Sequence, residues 1–215
     1  MFTTVLPKNA QDTLALLGKS NVLPKNTYLA GGTALALQFS HRISIDFDFF
    51  TPTDFNSKEV VEKLETIGKF VFQESKEKNT LIGLFNGVKF SVFKYDYPLV
   101  KPTINYLGIK VVSPEDIAAM KIVAIMDRGT IKDFIDVYFL IKKGISLEQS
   151  LDYYNKKYKS LANNIYSIIR SLTYFDDADL KEMPEMIEKV DWEEIKKFFQ
   201  KETVRIAEKY LAVDK

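Results

Sequence analysis

The stretch from Tyr28 to Phe50, YLAGGTALALQFSHRISIDFDFF, constrains this chain more than any other. Gly31 and Gly32 let a strand turn sharply with its backbone bare, because glycine accepts positive φ and carries no side chain to block a ligand. From Thr33 to about Phe39 the chain is rich in Ala and Leu and predicts a short helix. That helix aims its free N–H groups and the positive end of its dipole back at the glycines, which makes a place for phosphate. In the extended segment that follows, side chains alternate, so Asp46 and Asp48 share one face while Phe47 and Phe49 take the other. Two carboxylates beside a phosphate cradle are what a site needs to hold divalent metal between a nucleotide and the protein.

Each half has a plainer reading when taken alone. A glycine pair before a helix can be only a turn, and an Asp-x-Asp can be the solvated face of a half-buried sheet. Halo-dehalogenase-type phosphatases also use Asp-x-Asp, but after a buried apolar strand and before a tight loop. Here Ser40, His41, Arg42 and Ser44 precede it and Phe49 and Phe50 continue the strand, so that pattern fits poorly.

The remaining chain predicts the frame around this stretch. A first helix spans about Lys8 to Lys19, NVLPKN is a loop, and Tyr28 to Ala30 is a short buried strand. Ser57 is read as the N-cap of a helix running to about Lys69, and Phe70 to Glu74 as a strand. Thr80–Phe85 and Val88–Lys94 flank Asn86-Gly87, the favoured two-residue hairpin signal, which argues against a purely parallel sheet. Tyr97 to Asn105, with Pro98 and Pro102, reads as an extended connection before a strand at Ile109–Val112. Ser113-Pro114-Glu115-Asp116 starts a helix that ends near Arg128 at Gly129, and another spans about Ile131 to Lys142. Beyond Gly144 helices carry interleaved Tyr and Lys, with Ser146/Gln149 and Asp191/Glu194 as capping boxes and DDADLKEMPEM as a loop. Tyr153, Tyr154, Lys156, Lys157, Tyr158 and Lys159 fit an amphipathic helix with a solvated lysine face better than a nucleic-acid platform. The fold class is α+β: a mixed, largely antiparallel sheet flanked by helices over residues 1–112, and a helical bundle over 113–215 packed on it.

The bulk numbers narrow the chemistry. With 30 basic and 29 acidic residues, total charge supplies no dominant grip on nucleic acid. The absence of cysteine excludes disulfides, thiolate metal sites and cysteine nucleophiles, and a single histidine excludes a multi-histidine zinc site. No signal pattern and no run of ~18 apolar residues is present, so a cytoplasmic protein without membrane association is expected.

The blocks GGTALAL, HRISIDFDFF, PEDIAAMK and RGTIKDFIDVYFL, in that order, resemble the AbiEii-type nucleotidyltransferases, the toxin-like branch of the DNA polymerase β-like superfamily. The resemblance covers roughly residues 20 to 145 and implies a Mg²⁺-dependent transfer of NMP from an NTP to an acceptor. An RNA acceptor such as a tRNA 3′ end, and a cognate antitoxin protein, are implied with it. On this reading Asp46 and Asp48 bind the metal, while Gly31, Gly32 and Thr33 cradle the phosphates through backbone N–H groups and the hydroxyl. Arg42 is a further phosphate contact and His41 is structural. Lys121 is either a snorkelling lysine or a cation reaching the phosphates, and the resemblance favours the second. Lys132 and Asp136 are spaced for a simple helix-surface pair. The resemblance instead has Lys132 contact phosphate and has Asp133 or Asp136 position base, sugar or a basic side chain, Asp136 being favoured for the tie to Lys or Arg. Ser91 stands where many members of the superfamily carry a third metal-facing carboxylate. That departure leaves an alternative, a non-catalytic protein of the same fold that binds nucleotide or a partner. A metal-dependent phosphohydrolase, releasing free phosphate rather than pyrophosphate, is a third.

Overall fold

The computed structural model describes residues 1–73 and 78–211, in two compact units, Met1–Ser113 and Pro114–Lys215. In the first unit, helix α1 (Lys8–Lys19) precedes strand β1 (Tyr28–Ala30), helix α2 (Gly31–Phe39) and strand β2 (Phe47–Thr51). Helix α3 (Ser57–Glu65) leads to β3 (Phe70–Gln73), β4 (Thr80–Phe85), β5 (Val88–Lys94), β6 (Ile104–Tyr106) and β7 (Ile109–Val111). The expected end of β3 at Glu74 lies outside the described residues. One sheet takes the order β3-β4-β5-β2-β1-β7-β6. β2 pairs with β5, and β1 with β7, in parallel; the other neighbours are antiparallel. The mixed, largely antiparallel sheet read from the sequence is therefore present.

Alternation explains the layering. Phe47, Phe49 and Thr51 of β2 are buried, while Asp48 and Phe50 on the other face are half-buried. Phe90 and Val92 of β5 continue the buried face. The Phe90 ring lies 5.4 Å from that of Phe49, 6.0 Å from Phe70 and 6.1 Å from Phe85, in the tilted and edge-on arrangements aromatic rings prefer. Asn86 (φ 50) and Gly87 (φ 78) close the β4–β5 hairpin with the positive φ values of a type I′ turn.

Three local expectations are corrected. The α3 cap is Asn56, whose side chain accepts from the Lys58 N–H, and the helix stops at Glu65 instead of near Lys69. β6 falls in the stretch expected to be a plain connection; Leu107 and Gly108, both with positive φ, turn it back onto β7. Such a three-residue strand is too short to leave a periodic signal. This turn also meets α1 closely: a Cβ on Gly18 would lie 1.8 Å from the Leu107 carbonyl oxygen.

In the second unit α4 (Pro114–Asp127), α5 (Ile131–Lys142), α6 (Leu147–Tyr158) and α7 (Leu161–Ser171) are followed by a short α8 (Asp176–Asp179) and a long α9 (Trp192–Leu211). Thus DDADLKEMPEM begins with a turn of helix. The core centres on Phe134, whose ring meets Phe175 and Phe199 at 5.1 Å and Trp192 at 5.9 Å. Ser146 and Gln149 form a full capping box. Asp191 caps α9 through the N–H groups of Glu193 and Glu194, but the Glu194 carboxylate accepts from the Tyr138 hydroxyl instead of completing a box.

Two buried lysines lock these helices. Lys157 Nζ lies 2.9 Å from Asp116 Oδ1, both side chains fully buried, tying α6 to α4. Lys157 is therefore removed from the solvated lysine face expected for α6. Lys121 Nζ reaches Asp133 Oδ1 at 2.8 Å and Asp136 Oδ2 at 2.6 Å, tying α4 to α5. Asp133 also accepts from Arg128 Nε and Nη2 at 2.9 and 3.0 Å, from the Thr130 hydroxyl at 2.6 Å and from the Thr130 backbone N–H at 3.3 Å, the last forming part of a capping box on α5. Burial pushes the Asp133 carboxyl up, but the charges of Lys121 and Arg128 and their hydrogen bonds outweigh it and hold the group well below the usual carboxylate range.

Gly18→Ala should lower the unfolding free energy by about 1–3 kcal/mol or more through overpacking. Gly87→Ala, with nothing within 4 Å of the added carbon, should cost only the ~1–2 kcal/mol of left-handed backbone strain. Urea unfolding compares the two. A depressed carboxyl stabilises the fold above its unfolded value of ~3.9 and loses that contribution as pH falls through the folded value. Asp133→Asn should therefore cost about 3–5 kcal/mol at neutral pH. The gap to wild type should narrow as the pH is lowered below 4, read from urea midpoints across pH.

Candidate active site

The register of β1 against β2 sets the geometry. Ala30 lies opposite Asp48, and Ser91 of β5 lies opposite Asp48 on its other side. The residue after Ala30 therefore abuts the carboxylate. Gly31 has φ +66, and a Cβ built on it would sit 2.8 Å from Asp48 Oδ2. Glycine is required there twice, by backbone conformation and by space. α2 starts at Gly31 itself, so both glycines lie in its first turn instead of ahead of it.

Ser91 Oγ donates to Asp48 Oδ1 at 2.8 Å, so the serine orients the carboxylate in the place of a third acid. Asp46 directly precedes β2. Its Oδ1 is buried and, among the described residues, has no hydrogen-bond partner. A buried carboxylate oxygen left without a donor is costly unless a cation completes it. Among the described residues no three His, Asp or Glu side chains gather closely enough to hold a metal, and Asp46 and Asp48 are the carboxylates that line this site. Carboxylate oxygens are hard donors of the kind that suits a divalent cation such as Mg²⁺. A cavity of about 200 Å³ opens beside them, lined also by Ser91, Lys89, Gln73 and Ile82. Lys89 was missed from sequence. Its signal was the alternation along β5, which puts Lys89, Ser91 and Phe93 on the face of Asp48.

Thr33 is buried. Its hydroxyl meets Ser44 Oγ at 2.8 Å and donates to the Asp46 carbonyl oxygen, fixing the approach to β2 against α2. The hydroxyl expected at phosphate is thus spent inside the fold. Arg42 is buried too, with NH1 donating to the Ile43 carbonyl at 3.1 Å, and His41 is fully buried. Gly31, Gly32, Thr33, Asp46 and Asp48 are thus gathered at the junction of β1, α2 and β2. The remaining candidates sit in the helical unit. Lys121, Asp133 and Asp136 form the network described above, with Asp136 bonded to Lys121 and both Asp133 oxygens occupied, while Lys132 is exposed in the first turn of α5.

The family model described as nucleotidyl transferase AbiEii toxin, Type IV TA system, matches residues 16–102 and 88–211. An uncharacterized protein of Aquifex aeolicus is 44% identical over 182 residues, 81% of this chain and 84% of its own length. The solved structure of JHP933 from Helicobacter pylori is 19% identical with a TM-score of 0.55, covering 96% of this chain and 95% of that one. A putative nucleotidyltransferase from H. pylori is 18% identical with a TM-score of 0.56, covering 97% and 100%. At these identities the two structures speak for the fold. With the family model spanning most of its length, this chain belongs to the AbiEii family of nucleotidyltransferase toxins.

Proposed function

We propose that this nucleotidyltransferase transfers NMP from an NTP to an RNA acceptor, such as a tRNA 3′ end, with Mg²⁺ held by Asp46 and Asp48. It acts as the toxin of a pair with a cognate antitoxin protein. The observation that carries the site assignment is the bare Gly31 backbone packed against Asp48, next to an Asp46 oxygen without a donor. In the reaction the acceptor oxygen bonds to the α-phosphorus as the bridging bond to the β-phosphate breaks. Pyrophosphate leaves and the hydroxyl proton passes to solvent. Bound Mg²⁺ supplies the positive charge that offsets the triphosphate and favours the attacking oxygen. The chain's own part is placement. Asp46 and Asp48 hold the cation, Ser91 fixes the Asp48 rotamer, and the first N–H groups of α2 offer donors to phosphate. Lys89, on the cavity wall, adds charge as pyrophosphate departs.

Ser91 also motivates a second reading, in which the fold binds nucleotide or the antitoxin without turnover. Purified protein incubated with Mg²⁺, each α-labelled NTP in turn and total cellular RNA separates the two. Label should enter RNA, and Asp46→Asn and Asp48→Asn should abolish it with the circular dichroism spectrum unchanged. Protein that binds NTP yet labels nothing supports the binding reading, and label retained in Asp48→Asn removes the acidic pair from catalysis.

A further inference from the structure

The sheet face that carries Asp48 also carries an aromatic row that starts at the buried Tyr28 and runs out toward the surface. Along β5 and beyond, every second residue from Ser91 is Phe93, Tyr95 and Tyr97. Across from Phe93 lies Phe50 of β2, and across from Phe50 lies Tyr28 of β1. The rings form a continuous series. Phe50 is 6.2 Å from Tyr28, 5.6 Å from Phe93 and 5.1 Å from Tyr95, and Tyr95 is 4.9 Å from Tyr97. Exposure rises along it, from buried Tyr28 through half-buried Phe50, Phe93 and Tyr95 to Tyr97, which is 47% exposed. The sheet's fully buried phenylalanines lie on its opposite face, and Phe50, Phe93, Tyr95 and Tyr97 are not among the buried core residues. A cavity of about 440 Å³ touches both ends of the series, lined by Tyr28 and Tyr97 together with Pro98, Leu99 and Thr103.

Position along the sheet says which part of a substrate would meet the row. β1 runs antiparallel to β2, with Tyr28 opposite Phe50 and Ala30 opposite Asp48. The start of α2 and the aromatic row therefore lie on opposite sides of Asp48 along the strand. In-line displacement puts the leaving and attacking oxygens on opposite sides of the phosphorus. With the leaving pyrophosphate toward α2, the acceptor comes in over the aromatics. Charge agrees with a stacking surface better than with a phosphate clamp. The cavity wall bears Lys110 and Asp96, and Lys94 is paired with Asp54 at 2.9 Å and with Asp96 at 3.2 Å.

We infer that the row formed by Phe50, Phe93, Tyr95 and Tyr97 is the platform on which the unpaired 3′ bases of a single-stranded nucleic-acid acceptor stack. This rests on the transferase reading of the Asp46–Asp48 site. Aromatic side chains accept any base through its π face, so the row holds an acceptor end without reading its sequence.

The test uses 5′-fluorescein-labelled single-stranded oligoadenylate and the full chain carrying Asp48→Asn, so that binding is measured without chemistry. Fluorescence anisotropy should report binding to this protein. Adding Tyr97→Ala should weaken it about tenfold, as loss of a stacked base does. Tyr97→Phe should restore it, and Tyr97→Ala in the protein otherwise wild type should leave NTP affinity, measured by calorimetry, unchanged. In a protein otherwise wild type, Tyr97→Ala should raise KM for RNA while leaving kcat nearly unchanged. Failure of the Asp48→Asn protein to bind the strand, or equal binding with Tyr97→Ala, overturns the inference. So does loss of NTP affinity in Tyr97→Ala, which assigns the row to the donor base. Transfer that proceeds with an unchanged KM for RNA in Tyr97→Ala removes the platform and leaves the transferase standing. Ring-dependent strand binding without any transfer removes the transferase and leaves a strand-binding surface.

Discussion

The pairing of β1 with β2 is the constraint on which the site depends. Its register sets Ala30 opposite Asp48, and the chain can then start a helix beside that carboxylate only if the next residue has no side chain. From this one contact follow the bare backbone at the carboxylate, the direction in which α2 presents its N–H groups, and the position of Asp46 at the strand's entry. Thr33 secures the arrangement from within, bonding the Asp46 carbonyl and Ser44, so the strand entry cannot shift without α2. The buried phenylalanines beneath β2 and β5 supply the rigid floor that a positioned pair of carboxylates needs.

Sequence made much of this legible because the informative signals were local. Glycines ahead of an Ala/Leu run, two aspartates at strand spacing and Asn-Gly between alternating segments each have a direct backbone meaning, and each element formed close to where it was read. What stayed hidden was tertiary. β6 has only three residues and depends on the turn at Leu107-Gly108 and on Gly18 lying against it. Lys157 sits among lysines that look alike in sequence, and only the approach of α4 singles it out by bringing Asp116 within 2.9 Å. Alternation along β5 sets Lys89 on the face of Ser91, but only the parallel pairing of β5 with β2 brings that face to Asp48.

The helical unit shows the same limit from another side. Lys121, Asp133 and Asp136 were singled out through the family resemblance, and the structure gathers these three buried side chains into one network that Thr130 and the exposed Arg128 close. Asp133 illustrates how much one side chain can hold: it caps α5, binds Arg128 through both oxygens and neutralises Lys121. A buried cation with two carboxylates and a guanidinium around it is costly to disturb, which makes the α4–α5 junction a rigid joint. Tyr138 took Glu194 from its expected cap for a similar reason, since a tyrosine hydroxyl near the core seeks a strong acceptor.

The proposed transfer depends on Asp46 and Asp48 jointly holding a divalent cation. Its most direct test is Mn²⁺ binding followed by electron paramagnetic resonance on wild type, Asp46→Asn and Asp48→Asn, with circular dichroism to show that each is folded. Wild type should take up Mn²⁺ and each folded variant should lose most of that affinity. Folded variants that bind Mn²⁺ as tightly as wild type would contradict this and return the pair to the role of a solvated strand face.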